Sequence, residues 1–296
     1  MKKRGTWLEY KVTDLAPVYV NEFLIQTAGA SKGVIHHYRK ANGLKVNGTI
    51  LSAENPLVHN GDVVSLEVFK AEKNDIVSEF MELDILFEDD HIIAINKPAG
   101  MKTHPNSPGE TGTLANALAF YYMMQGEDAA VRHVHRLDED TSGAILFAKH
   151  ALAQAIMDKA LQEHFISRTY VAAVQGVPRP KKGTISQPIG KDRHHPSKRR
   201  VSTGGQPAVT HYEMVQSSSS GAVLKVQLET GRTHQIRVHL SYIGNPIIGD
   251  RLYGDPSHLI KRQALHAARI RFHHPISNEK IDLTAPFPAD MKRWEP

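Results

Sequence analysis

The sequence predicts an α+β protein in two parts: a small N-terminal module and a larger domain built on a central mixed or antiparallel sheet flanked by helices. Three observations predict it. From residue 166 onward strand-like segments and turns dominate, which favours antiparallel or mixed pairing. Ahead of that point, short apolar strands alternate with two helical stretches, TLANALAFYYMMQG and residues 150–165. At the N-terminus, two short helical segments and an Asn-Gly hairpin form a unit too small to bury much surface alone. A chain of 296 residues has room for one large domain and one small one.

Residues 1–17 read as an N-terminal extension and residues 18–69 as the small module. NEFLIQTAG and KGVIHHYRKANG carry apolar residues at helical spacing, each closed by a glycine. LKVNGTI turns at Asn47-Gly48, and HNGDVVSLEVF leads from a second turn into an alternating strand. The acidic stretch 70–83 reads as a linker and residues 84–296 as the main domain. That domain opens with a strand, an EDD turn and the strand IIAIN, broken at Lys97-Pro98-Ala99-Gly100. The apolar helix then ends at Gly126. HRLDEDTSG, residues 135–143, is turn chemistry: its Asp, Thr and Ser bond their own backbone, and Gly143 tolerates positive φ. Ala144 to Lys149 reads as a buried strand and His150 to Phe165 as a helix. SRTYVAAVQG and QALHAARIRFHHP read as strands, the latter broken by Pro275.

The composition narrows the function classes. The apolar fraction of 41% supports a core, and no run of eighteen apolar residues exists to span a membrane. Zero cysteines exclude disulfides, thiolate metal sites and thiol nucleophiles. MKKRGTWLEYKV lacks the apolar centre of a signal peptide, so a cytoplasmic setting is expected. The eighteen His residues include adjacent pairs rather than ligand spacings, so no metal is expected. The net charge of +5 is unevenly spread. Residues 70–90 are acidic, whereas 179–200 carry Arg179, Lys181, Lys182, Lys191, Arg193, Lys198, Arg199 and Arg200 against Asp192 alone. A concentrated basic patch suits a polyanion, because each neutralised phosphate releases counterions; a solvated basic loop is the plainer alternative.

Asp138 stands in HRLDEDTSG, on a loop between two rigid elements, where chemistry is often placed. On spacing alone a solvated turn is the simpler reading, since structural Asp residues outnumber catalytic ones. Tyr170 lies early in a strand, where a core or edge tyrosine is the simpler reading because Tyr suits strands. In TGRTHQIRVHL a polar cluster, Thr230 to Gln235, precedes Ile236, Arg237 and Val238. Alternation would point Gln235 and Arg237 to one side and Ile236 and Val238 to the other. On a strand or helix of a packed domain, Arg237 needs a carboxylate or phosphate partner.

HRLDEDTSG, YVAAVQG, TGRTHQIRVHL with IGNPIIGD, QALHA with FHHP, and LFEDDHIIAINKPAGMKTHP together resemble the RluA-type pseudouridine synthases, in order and spacing, over about 84–290. The resemblance implies the pseudouridine synthase fold and the isomerisation of uridine in RNA to pseudouridine. The uracil is detached at N1, turned over and rejoined through C5, without metal or organic cofactor. It makes Asp138 the essential carboxylate, attacking the ribose anomeric carbon or removing the neighbouring ribose proton. Tyr170 would stack on the uracil and assist the final proton removal, and Arg237 would pair with Asp138 and hold it ionised. Leu265 would line the uracil pocket, and Arg136 would fill the gap left by the flipped base. His135, Thr141, Arg232, His234 and Gln235, from the same motifs, are further candidate substrate contacts.

The 181–205 segment is similar to a basic RNA-contacting loop of that family, making Lys181, Lys182, Lys191, Arg193, Lys198, Arg199 and Arg200 candidates for the RNA backbone. Arg168 stands where many relatives carry Lys. Residues 18–69 resemble the α-L RNA-binding module first described in a ribosomal small-subunit protein. Lys32, His36, His37, Tyr38, Arg39 and Lys40 would face RNA there, with Arg39 and Lys40 on its backbone. The helix VNEFL lacks that module's usual basic residue near its start. Ribosomal RNA of the large subunit is the expected substrate, with transfer RNA as the alternative, and a monomer is expected. Two rivals remain at this point: a non-catalytic RNA-binding or ribosome-assembly protein, and a carboxylate-based hydrolase using Glu139 or Asp140 as its second acid.

Overall fold

The computed structural model describes residues 1–127, 129–219 and 221–296. The first part contains β1 (Lys2–Arg4), β2 (Trp7–Lys11), β3 (Val18–Tyr19), α1 (Val20–Thr27), α2 (Lys32–Lys40), β4 (Leu44–Val46), β5 (Thr49–Ile50), β6 (Leu57–Val58) and β7 (Val63–Leu66). Strands β1-β2-β7-β4-β5 form a sheet, and β3 pairs with β6. Asn47 and Gly48, at φ 49° and 84°, make the β4–β5 turn, as Asn-Gly requires. Ser31 caps α2 by accepting the Val34 N–H at 3.3 Å.

Two expectations for this part are corrected. Residues 1–17 are not an extension, because Leu8 pairs with Leu66 and Tyr10 with Val64 in the same sheet. The alternation in WLEYK buries Leu8 and Tyr10, and the small hairpin needs that strand to cover its apolar face. The second correction concerns α2. Lys32, His36, His37 and Lys40 are exposed, but Tyr38 and Arg39 are buried. The Arg39 guanidinium donates to the Glu54 carbonyl at 2.6 Å and to Asn21 Oδ1 at 2.8 Å, so it braces the module instead of meeting RNA.

The main domain follows with β8 (Ile85–Glu88), β9 (Ile92–Lys97), α3 (Leu114–Met124), β10 (Arg132–His133), β11 (Ser142–Ala148), α4 (Ala151–Gln162), β12 (Ser167–Gln175) and β13 (Lys182–Ser186). Next come β14 (Ile189–Lys191), β15 (Arg199–Val201), β16 (Val209–Ser217), β17 (Gly221–Leu228), α5 (Gln235–Tyr242), β18 (Leu265–His273), β19 (Lys280–Thr284) and a 3₁₀ turn, Ala289–Trp294. Its sheet runs β13-β16-β17-β12-β18-β11-β9-β8, with β10 added to β11 and β19 to β18. Within this sheet only β11 and β18 pair in parallel among the described residues. The sheet is therefore mixed, as expected. No helix among the described residues is long and apolar enough to cross a membrane.

Helix α3 starts at a capping box in which Thr113 and Asn116 bond each other's backbone N–H. Helix α4 is capped by His150, whose Nδ1 accepts the Ala153 N–H at 3.2 Å. One side of α4 gives Ala153 and Met157 to the sheet core, and Leu152 enters the core of the N-terminal part. The acidic stretch 70–83 has no strand or helix but is strapped down: Glu72 pairs with Arg132, and Asn116 Nδ2 donates to the Val77 carbonyl at 2.8 Å.

Candidate active site

Strand β11 begins against β18, with Ser142 opposite His266 and Gly143 opposite Ala267. Gly143 has φ 114°, and a Cβ there would stand 2.3 Å from the Ala267 carbonyl oxygen. Only glycine lets the two strands approach this closely. The HRLDED loop is thereby delivered beside Leu265, the first residue of β18. On the other side of β18, its pairing with β12 shifts register between Thr169 and Val171. The extra residue is on β18, where Ala267 and Ala268 together oppose Tyr170, and such a bulge bends the strand beside the site.

The loop around Asp138 is held from three directions. Lys97 Nζ donates to the carbonyls of Pro98, Met101 and Glu139 at 2.8, 2.6 and 2.8 Å. Burial pushes this ammonium down to about 7, while the three carbonyls occupy all the N–H groups of its protonated form. Thr103 Oγ1 donates to the Leu137 carbonyl at 2.9 Å, and Arg262 Nη1 to the Asp140 carbonyl at 2.9 Å. Arg262 is itself anchored on Asp290 at 2.8 and 2.9 Å.

Arg237 Nη1 donates to Asp138 Oδ2 at 3.1 Å. Its Nε and Nη2 clasp Asp250 at 2.7 and 2.9 Å, so one guanidinium bridges two carboxylates. Burial alone would lower the Arg237 pKa, but Asp250 and Asp138 raise it well above the ordinary value. Asp250 is fully buried and also accepts the Leu252 and Tyr253 N–H groups. The expected alternation fails here because the segment is helix α5, whose N-cap, His234, sits at φ 59°. Arg237 reaches Asp138 from the first turn of that helix.

His234 Nδ1 lies 2.9 Å from the Tyr253 hydroxyl, which accepts the Arg199 N–H at 2.7 Å. Its Nε2 stands 4.0 Å from Asp138 Oδ2. Burial lowers the His234 pKa and lifts Tyr253 to about 12, so the neutral hydroxyl donates to Nδ1 and leaves Nε2–H facing the carboxylate.

Asp138 lies where two cavities meet. The larger, about 660 Å³, is lined by Tyr170, Leu265, Arg168, His133 and Gln154 among others. The smaller, about 440 Å³, is lined by Lys102, His104 and Asn106. Arg136 is exposed and borders both. Thr141 is buried; its N–H closes the turn on the Asp138 carbonyl at 3.0 Å. Burial raises the Tyr170 pKa and keeps its hydroxyl neutral.

Two candidate substrate contacts take supporting positions instead. His135 is buried, its Nε2 accepts the Leu146 N–H at 3.3 Å, and burial lowers its pKa to about 3. Gln235 spends its amide inside the protein: Oε1 accepts from Thr230 and Arg232, and Nε2 donates to the Val209 carbonyl and Thr210. Arg232 is half-buried and donates to the Pro207 carbonyl at 3.0 Å.

The basic residues of 181–200 fall around the β14–β15 hairpin and the β13 edge. Lys181, Lys182, Lys191, Arg193 and Arg200 are exposed there, as is Lys40 at the end of α2. Lys198 and Arg199 are half-buried against Tyr253, Lys198 Nζ lying 5.5 Å from its ring centre. Sequence reasoning missed Lys97, Thr103, Asp250 and Arg262. The first three stand in quoted segments, KPAG, MKTHP and IGNPIIGD, but no local pattern marks a residue whose partner is on a distant loop.

A family model described as RNA pseudouridylate synthase matches residues 91–242. The chain is 50% identical to the RNA pseudouridine synthase YhcT of Bacillus subtilis, over 99% of this chain and 97% of that protein. It is 37% identical to ribosomal large subunit pseudouridine synthase D of Haemophilus ducreyi, over 84% of this chain and 80% of that one. Among solved structures, human RNA pseudouridylate synthase domain containing 4 matches with a TM-score of 0.57 and 26% identity, covering 70% of this chain and 90% of that one.

Proposed function

The chain belongs to the RNA pseudouridine synthase family, and from that premise we propose that it isomerises uridine in ribosomal RNA of the large subunit with Asp138 as the reacting carboxylate. The observation that carries the reading is the placement of Asp138. Its carboxylate is held 3.1 Å from Arg237 at the mouth of a cavity walled by Tyr170 and Leu265. A base turned out of the RNA enters that cavity, and exposed Arg136 takes its place in the stack. Extrusion costs a few kcal/mol, which the substitute contact offsets.

Asp138 then acts on the sugar, either at C1′ as nucleophile or at the C2′ proton as base. Both routes break the C1′–N1 bond. The uracil turns over against Tyr170, C5 bonds to C1′, and the C5 proton leaves. No atom or electron is gained or lost overall, so the chemistry calls for no redox cofactor. The choice of ribosomal RNA rests on the large-subunit relatives and on the basic hairpin, whose exposed Lys191, Arg193 and Arg200 suit phosphates.

Release of tritium from C5-labelled uridine in ribosomal RNA tests the reading. The wild-type protein is expected to release it, and Asp138→Asn to abolish release while still binding RNA. Release retained by Asp138→Asn would sink the role of Asp138. Release from transfer RNA alone would overturn the choice of substrate.

A further inference from the structure

Arg168 is a charged group in the larger cavity to which none of the roles above gives a task. It stands two residues before Tyr170 on β12, and both side chains line the cavity that Asp138 borders. It is 6% exposed, and its Nε is buried without a hydrogen-bond partner. Arg237 and Arg262 each clasp a carboxylate, Asp250 and Asp290. Among the described residues, no carboxylate lies within ion-pair distance of Arg168. A buried cation without a counter-charge is costly, and folding would favour its loss unless a ligand completes it.

The surroundings are arranged around this charge. A Cβ on Gly231 would stand 3.2 Å from Arg168 Nη1, so the TGRTH loop leaves room for the guanidinium. The nearby His135 is held neutral by burial and adds no repulsion. The cavity therefore contains a permanent positive charge next to the tyrosine that faces the base.

We propose that Arg168 binds the uracil as an anion during the interval in which it is detached from the ribose. This rests on reading the cavity as the uracil site. When the C1′–N1 bond breaks, its electron pair leaves with the ring and spreads over N1, O2 and O4. C1′ gains a bond to the Asp138 carboxylate, or the C2′ proton passes to Asp138. The anion is formed on either route. Arg168 keeps its protons and donates from its fork to a ring carbonyl oxygen while the base turns over, a stabilisation greater in the transition state than in bound uridine.

The test is single-turnover cleavage in RNA bearing uridine or 5-fluorouridine at the target position, the fluorinated ring being the better leaving group. Arg168→Met should lose about 100-fold with uridine, the usual cost of one such donor, but only about tenfold with 5-fluorouridine, with RNA affinity unchanged. Free guanidinium ion should restore part of the lost rate. Arg168→Lys, which keeps the charge and guards against a folding defect, should stay within about tenfold of wild type. Equal losses with both bases, accompanied by weaker RNA binding, would overturn the proposal in favour of a phosphate contact. An unchanged rate in Arg168→Met would overturn it outright. If the wild-type protein converted neither RNA, the reading of the cavity itself would fall, independently of Arg168.

Discussion

Asp138 is aimed by a chain of charges: Arg237 holds it, and fully buried Asp250 holds Arg237. Removing Asp250 leaves that guanidinium half-partnered in the interior. Asp250→Ala is expected to lower stability by about 3 to 5 kcal/mol in urea denaturation, the usual result of orphaning a buried ion. Its rate should fall on the order of 100-fold as Asp138 loses its fixed position. A variant as stable as wild type would refute the bridge. Gly143 makes a second residue-scale test. Its positive φ and the 2.3 Å approach of a hypothetical Cβ to the Ala267 carbonyl make Gly143→Ala costly, by roughly 3 kcal/mol. A thermal midpoint unchanged from wild type would contradict that packing. Asp138, Tyr170 and Arg237 were legible as residues because their motifs are local. Arg262 was not, since its hydrogen bond to the Asp140 carbonyl spans 122 residues.

Among the elements, α4 does two jobs. Ala153 and Met157 pack on the sheet, while Leu152 is buried in the core of the N-terminal part and Ile156 packs beside Gly29. Around this junction Lys3 pairs with Asp90 at 2.6 Å, and Phe69 packs on the rings of His91 and His150. The two parts thus share an apolar seam that no linker composition announces. Leu152→Asp should release the N-terminal part, because a carboxylate in that seam has no partner. Limited proteolysis should then cut within 70–83 faster than in wild type, and an unchanged cleavage rate would refute the shared seam. At α5 the sequence misled in a different way. QIRVH alternates like a strand, but its backbone forms a helix, entered through His234 in the left-handed region. Alternating polarity over five residues cannot separate the two periods.

The whole molecule carries a pH signature. Burial lowers His133 and His266 to about 4 and His135 and His150 to about 3. In the unfolded chain these groups return to about 6.5. Between about pH 6.5 and 4 the unfolded chain binds the extra protons, so stability falls as the solution is acidified. The slope is about 1.4 kcal/mol per pH unit for each proton that only the unfolded chain accepts. The urea midpoint should drop from pH 7 to pH 5, and His150→Asn, which keeps an N-cap acceptor but does not titrate, should reduce the drop. An identical pH dependence in that variant would refute the contribution of His150. At this scale the strand-rich α+β character, the basic 181–205 segment and the residues of the family's motifs were legible in the sequence, because each depends on near neighbours, composition or spacing. Tertiary structure alone decided that residues 1–17 complete a sheet, that Arg39, His135 and Gln235 face inward, and that Asp250, Lys97 and Arg262 support Asp138. Those outcomes depend on which distant backbone groups and charges share one buried space. HRLDEDTSG holds Asp138, the carboxylate proposed to react, but its aim is set by partners from β9, α5 and the segment before β18, brought there only by folding.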